Sequence, residues 1–227
     1  MPQPLSNLSK VKNLNLSLSA AVYTARPKHM ESVSKIITAA ALSDQWMGNI
    51  LVGLSPQNAV RLAHHLNSLE NDAKKTASFE ALAAVLLPED MHDLLRLIVK
   101  KHRSASKLRN PFAHHRFGYT DDVEDLLLLV DPRHELIHRA QREELDANPP
   151  QNQEEKTVWF AARQKSAEEF EASIMTYDLA EMDRIQRDIQ QATQCLTSFW
   201  TLTSRKPPAP IRDQILAQLN NNLRNPA

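Results

Sequence analysis

Residues 108–118 read LRNPFAHHRFG and place a guanidinium, an amide and an imidazole within six positions. Asn110 and Pro111 are typical of a helix start, because Asn is a good N-cap and proline fits the first turn. In such a helix Asn110 and His114 lie one turn apart on the same face. Arg109 precedes the cap, where a phosphate attracted to the helix N-terminus would also meet its side chain. The stretch therefore predicts a site that holds a phosphate beside a proton-transferring imidazole.

The composition favours a helical protein. The chain has 227 residues and 42% hydrophobic content, enough to bury a core in one domain. It contains three glycines and is rich in good helix formers, which disfavours a β-sandwich or a glycine-looped nucleotide fold. A single Cys195 excludes an internal disulfide and a cysteine-based zinc cluster. The purest apolar run, 126–130, is too short to span a bilayer, so we expect a cytoplasmic protein without a membrane partner.

Apolar periodicity divides the chain into helices separated by proline-rich and asparagine-rich breaks. Gly118 is expected to end the helix that starts at Asn110, in a left-handed conformation. For 126–130 a buried helix and a strand both remain open, and 156–175 is ambiguous. Helices are predicted over 30–54, from Pro56 onward, over 78–87, over 88–109, from Asn110, over 178–203 and near 211–219.

These patterns predict three parts. Residues 1–27 form an irregular N-terminal arm, because they mix polar residues and proline without a sustained period. Residues 28–204 form the helical domain. Residues 205–227 form a proline-rich linker and a short C-terminal helix.

The charge of the chain balances overall but not locally. Formal net charge is zero, so the molecule as a whole is not a polycation for nucleic acid. Between positions 94 and 120, however, the chain has seven basic residues and no Asp or Glu. Such a run forms either a solvated helix face or a surface that binds phosphates, and we predict the second. The seven are Arg96, Lys100, Lys101, Arg103, Lys107, Arg109 and Arg116.

A second motif offers different chemistry. His134, Glu135 and His138 fit the pattern His-Glu-x-x-His, which on a helix binds zinc in metalloproteases. Asp131-Pro132 puts His134 in the first helical turn, whereas a rigid zinc site needs both histidines well inside a buried helix. We keep a zinc metalloprotease as the less favoured alternative.

The first motif carries a family resemblance. Arg109-Asn110-x3-His114, followed by Phe117-Gly118, resembles the Arg-polar-x3-His signature of HEPN domains, all-α bundles that include many metal-independent ribonucleases of toxin, defence and RNA-surveillance systems. The leucine-rich run that ends in Asp131-Pro132 and the Tyr177-Asp178-Leu179 start of the last long helix are also similar to bacterial HEPN-like proteins. The resemblance implies a HEPN-like helical bundle over 28–204, with a short irregular or β-hairpin insertion after the motif.

On the ribonuclease interpretation, His114 takes the proton of a 2′-hydroxyl as that oxygen attacks the adjacent phosphorus. Arg109 holds the phosphate, and no metal or other cofactor is needed. Asn110 either orients these groups or only caps the helix, and the neighbouring His115 leaves the identity of the base ambiguous. Flanking phosphates are expected to bind Lys100, Lys101, Arg103, Lys107, His115 and Arg116.

The resemblance also implies partners. Family members usually dimerise with two motifs in a shared cleft, so RNA, a second copy that completes a composite site, and an antitoxin or other regulatory protein are expected. The family includes inactive members. A non-catalytic HEPN-like module that binds RNA, a nucleotide or a protein is therefore the alternative function.

Overall fold

The computed structural model describes residues 2–8 and 16–224, so position 1 and positions 9–15 of the predicted N-terminal arm lie outside the described residues, as do 225–227. The described chain is mostly helical, about 78%, with nine helices and four short strands. The helices are α1 Val22–Ala25, α2 Pro27–Leu54, α3 Ala59–Ser68, α4 Asp72–Leu86, α5 His92–His114, α6 Pro132–Ala147, α7 Gln153–Ser173, α8 Leu179–Ser204 and α9 Ala209–Arg224. The strands are β1 Gln3–Pro4, β2 Arg116–Gly118, β3 Leu127–Val130 and β4 Met175–Tyr177.

The chain divides into two units. The first unit comprises Met1–Ser34 and Asn110–Asp183, and the second comprises Lys35–Arg109 and Arg184–Ala227. Helices α2, α5 and α8 contribute residues to both. Within the described residues no helix combines the length and apolar content that a bilayer span requires.

The first unit contains an antiparallel sheet in the order β1-β4-β3-β2. Of the two alternatives for the insertion after the motif, irregular or hairpin, the structure has the hairpin, β2 and β3, in which Arg116 lies opposite Val130 and Gly118 opposite Leu128. All four residues of β3 are buried, which explains why the run shows no alternation of apolar and polar residues. Segments of the N-terminal arm join this unit through β1 and through a bridge between Ser17 and Tyr119.

The second unit holds the larger hydrophobic core. It packs the inner faces of α2, α4, α5 and α8 together, as their three-four apolar spacing predicts. Cys195 is buried in this core, as expected for a small core residue. The fully buried side chains include Ile50, Leu51, Phe79, Ala83, Leu95, Ile98, Leu196, Phe199 and Leu219.

Two local predictions at the motif are wrong. Asn110 does not cap a helix and Pro111 does not begin one, because α5 continues unbroken from His92 to His114. Pro111 lacks an N–H, but its carbonyl still accepts a hydrogen bond from the His115 N–H at 2.9 Å. The next residue, Phe112, is buried edge-on against Tyr177, and this packing outweighs the proline penalty so close to the helix end.

Gly118 also differs from its predicted role. It lies in β2 rather than in a left-handed turn, and no described glycine has a positive φ. A Cβ on Gly118 would come within 2.7 Å of Leu18 Cδ2 and 3.1 Å of the Ser17 carbonyl oxygen. Glycine is needed there because the N-terminal arm passes directly over the strand.

The remaining helices follow their sequence signals. Asp178 caps α8, accepting from the Glu181 N–H at 2.7 Å, as predicted. Of the ambiguous stretch 156–175, residues 156–173 belong to α7 and Met175 begins β4. Helix α7 starts with a reciprocal cap between Asn152 and Glu155. The predicted C-terminal helix extends over Ala209–Arg224.

Candidate functional site

The predicted motif lies at the C-terminal end of α5 and not at a helix N-terminus. Asn110 and His114 are exposed and one turn apart, as expected. Arg109 precedes His114 by five residues, so the two side chains leave the helix about 140° apart. The helix N–H groups that were expected to attract a phosphate are therefore absent from this point.

Arg109 is held by carboxylates of the second unit. Its Nη2 lies 2.6 Å from Asp72 Oδ2 and 3.7 Å from Asp44 Oδ2, and its side chain is only 14% exposed. Burial raises the pKa of Asp44, Asp72 raises it further, and Arg109 opposes both effects. The guanidinium is thus paired in this structure, and its predicted phosphate contact stays a prediction.

A buried histidine adjoins this ion pair. The Nδ1 of His102 lies 3.0 Å from Ser43 Oγ, and its Nε2 lies 3.4 Å from Asp44 Oδ1. The imidazole is 1% exposed, and burial lowers its pKa to about 4. His102 is therefore neutral at physiological pH, and its contacts with Ser43 and Asp44 lie inside the second unit.

Most side chains of the predicted basic surface are held by local hydrogen bonds or ion pairs. Lys101 donates to Gln191 Oε1 and to the Asn222 carbonyl, both at 2.6 Å. Arg103 pairs with Glu80 at 2.8 Å, and Arg116 pairs with Glu135. Lys100 and Lys107 are exposed. Because they are seven residues apart, they lie on one stripe of α5 in the second unit.

The hairpin register builds a pair that the sequence motifs did not predict. Arg116 pairs with Val130, so the next positions outward are His115 and Asp131. The Nε2 of His115 lies 4.0 Å from Asp131 Oδ2. The Nδ1 of His115 is buried without a hydrogen-bond partner among the described residues. His115 is therefore fixed between the end of α5 and the start of α6 rather than pointing freely into solvent.

Asp131 connects several of these groups. Its Oδ1 accepts from the Arg133 N–H at 2.9 Å and so caps α6, and its Oδ2 lies 2.5 Å from Arg133 Nη2. The Arg133 hydrogen bond holds the pKa of Asp131 well below its usual range. Burial lowers the pKa of His115, Asp131 raises it, and Arg133, His114 and His134 lower it. We call these five residues the histidine cluster: His114, His115, Asp131, Arg133 and His134.

The zinc motif lies on α6, but its members have other partners. Glu135 is paired with Arg116 and with Arg139. The Nδ1 of His138 lies 2.9 Å from Ser166 Oγ, and its ring stacks on Phe170 at 4.6 Å. In residues 2–8 and 16–224, no three His, Cys, Asp or Glu side chains are grouped so that they could hold a metal ion. Nothing in these contacts favours the zinc alternative.

The histidine cluster contains the last residue of the first motif and the first residue of the second, and each contributes an exposed imidazole. His114 and His134 are exposed, and Arg133 presents a guanidinium that is 84% exposed. Two imidazoles and a cation are the groups that metal-independent phosphodiester cleavage uses. Comparisons of the chain with protein-family models, curated proteins and solved structures find no match.

Proposed function

We propose that this protein is a metal-independent endoribonuclease whose proton-transfer groups are supplied by the histidine cluster. The supporting observation is that the β2–β3 register places His115 beside Asp131, and that exposed His114 and exposed His134 are near enough to lower the pKa of His115. One exposed imidazole comes from each motif. A base and an acid are thus both available within a single chain.

In the proposed reaction, His114 takes the proton of a ribose 2′-hydroxyl as that oxygen attacks the adjacent phosphorus. The P–O5′ bond breaks, and His134 donates a proton to the leaving 5′-oxygen. The products are a 2′,3′-cyclic phosphate and a 5′-hydroxyl. Arg133 stabilises the charge on the phosphate through guanidinium N–H groups not used by Asp131. His115 and Asp131 position these groups.

Each unit contributes RNA contacts of its own. In the second unit the exposed Lys100 and Lys107 of α5 contact backbone phosphates, and in the first unit Asn110, one turn before His114, donates to the scissile phosphate or to the imidazole. These contacts predict affinity that falls with salt. Dimerisation around a composite site and control by an antitoxin or another protein stay predictions from the family resemblance.

The second candidate function is a non-catalytic RNA-binding module. It is favoured by the ion pair of Arg109 with Asp72, because the guanidinium that the motif assigns to the phosphate is paired and only 14% exposed, whereas the side chain of Arg133 is 84% exposed. In this case the protein binds RNA through α5 without turnover.

The test uses the full-length protein, a single-stranded RNA labelled at one end, and EDTA throughout. Cleavage that leaves cyclic phosphate ends is expected for the wild type, with loss of at least about a hundredfold in His114→Ala and His134→Ala. His64→Ala is the matched control, because His64 is also an exposed helical histidine. RNA binding without cleavage by the wild type would support the non-catalytic module, and undiminished cleavage by both cluster variants would refute the proposed mechanism.

A further inference from the structure

A pocket of about 680 Å³ in the second unit takes no part in the proposed RNA chemistry. It opens where α2, α4 and α8 end and α9 begins. Its volume is typical of small-molecule sites. The apolar lining includes Leu54, Leu87, Met91, Leu202 and Leu216, and the exposed charged residues at its edge are Lys206, Arg212 and Asp90.

A buried hydroxyl in this pocket lacks a partner. Ser204 Oγ is inaccessible to solvent and has no hydrogen-bond partner among the described residues. A Cβ at position 53 would collide with the Ser204 hydroxyl, so this hydroxyl has room only because residue 53 is glycine. A buried hydroxyl without a partner destabilises a fold. Because solvent does not reach this oxygen, a ligand in the pocket does not reach it either, and the charged residues at the edge identify the ligand.

The backbone is strained at the edge of the same pocket. Lys206 has a φ of 44°, and it is the only non-glycine residue with a positive φ in the part of the chain that the structure describes. A residue with a Cβ adopts this left-handed conformation at a cost, and such strain is concentrated at functional sites. The strained residue is also one of the two cations that line the pocket.

The charges at the edge identify the kind of ligand. Lys206 and Arg212 form no ion pair with a carboxylate within residues 2–8 and 16–224, whereas Arg205 beside them is stacked on Trp200 at 4.9 Å. Three helices end at this pocket with partial negative charges, and α9 begins there with a partial positive charge. The two full cations outnumber the single carboxylate of Asp90, so a net positive edge borders an apolar floor.

We infer that this pocket binds a small amphipathic carboxylate. Its apolar body lies on the leucine and methionine floor, and its carboxylate accepts hydrogen bonds from Lys206 and Arg212. An apolar body alone would leave both cations unpaired, and an inorganic anion would leave the floor empty. Both parts of the ligand are needed to match the lining.

Isothermal titration calorimetry of the full-length protein tests this inference with three probes of one chain length: octanoate, octanol and octylammonium. Octanoate is expected to bind about tenfold or more tightly than either of the others. The variant Lys206→Gly with Arg212→Gln should lose about tenfold of that preference, because glycine accepts the positive φ while removing the ammonium. Arg224→Gln, at the far end of the same helix α9, is the matched control and should leave octanoate binding unchanged.

Equal affinity for the three probes, or no binding of octanoate at millimolar concentration, would overturn the inference. So would octanoate affinity that is unchanged in the double variant. Circular dichroism of each variant establishes that it is folded. The single variant Lys206→Gly leaves α9 unchanged, and its preference for octanoate over the other two probes is measured in the same way. RNA cleavage is measured in parallel and should be unaffected, since no residue of the histidine cluster lines this pocket.

Discussion

His115 and Asp131 occupy the positions that continue the β2–β3 ladder beyond Arg116 and Val130, and this register holds His115 Nε2 4.0 Å from Asp131 Oδ2. The aspartate contributes a negative charge to a half-buried imidazole that burial would otherwise keep neutral. Removing the charge of Asp131 should therefore change the pKa of His115 in a known direction.

Asp131→Asn should lower the pKa of His115 further, because Asp131 is the neighbour that raises it against burial. Asn is as good an N-cap as Asp, so α6 should keep its start. The measurement is an NMR titration of the imidazole resonances, with His115→Gln used to assign the His115 signal. A pKa of His115 that is unchanged or higher in Asp131→Asn would contradict the proposed pairing.

Arg109→Ala should reduce the free energy of unfolding by about 1–3 kcal/mol, since it leaves Asp72 and partly buried Asp44 without their cation. Lys107→Ala removes an exposed cation from the same helix and should change stability by less than about 0.5 kcal/mol. Urea denaturation compares the two. Equal stability of both variants would show that the Arg109 ion pair does not stabilise the fold.

His102 predicts a loss of stability in mild acid. Its pKa is about 4 in the folded protein and near 6.5 when unfolded, so between these values the unfolded chain binds the additional proton. Stability from this residue is therefore complete above about pH 6.5 and declines towards pH 4, by at most about 1.4 kcal/mol per pH unit. His102→Gln should flatten the pH dependence of the unfolding free energy between pH 7 and 5. An equally steep dependence in the variant would assign it to other groups.

Two glycine substitutions should have opposite effects. Gly118→Ala should destabilise the protein by about 1–3 kcal/mol, because its Cβ meets Leu18 and the Ser17 carbonyl. Gly48→Ala should stabilise it by about 0.5–1 kcal/mol, since Gly48 lies inside α2 and the new Cβ comes no closer than 3.9 Å to Leu66 Cδ1. Thermal unfolding measures both. A tolerated Gly118→Ala would mean that the N-terminal arm moves away without loss.

Lys100→Ala and Lys107→Ala should each reduce the salt dependence of RNA binding. One lost phosphate contact lowers the slope of log K against log salt by about 0.7 for a single strand. Lys165→Ala, which removes an exposed lysine from α7, is the control and should leave the slope unchanged. Fluorescence anisotropy over a series of salt concentrations gives the slopes. If the slopes of Lys100→Ala and Lys107→Ala equal the unchanged slope of Lys165→Ala, the α5 stripe is excluded as the RNA-binding surface.

Local signals predicted the long helices α2 and α8 well, whereas α7 was left ambiguous and α5 was predicted to break at Asn110. Asp178 and the spacing of apolar residues after it are sufficient for α8, because cap and stripe belong to one continuous segment. At Asn110-Pro111 an equally strong cap signal failed, since the buried contact of Phe112 with Tyr177 involves a residue that lies far away in sequence. Tertiary packing decided between two local conformations that the sequence allowed.

The site was predictable only in part. His114 and Asn110 are exposed one turn apart, as their spacing requires. The cluster around Asp131 was not foreseen, because it depends on the register of two strands separated by eight residues. The buried run 127–130 shows no alternation that would fix that register. A signal was nevertheless present in the two histidine motifs, which precede and follow one hairpin in the sequence and so flank its open end.

The division of the chain affects how its activities can be assigned. Each unit is built from separate stretches of sequence, and the boundaries fall inside α2, α5 and α8. A fragment that ended at residue 109 or began at residue 110 would sever a helix between two adjacent residues of the Arg-Asn-x3-His motif. Truncation would therefore abolish function for reasons unrelated to chemistry, and single-residue exchanges in the intact chain are the means by which catalysis and ligand binding can be told apart.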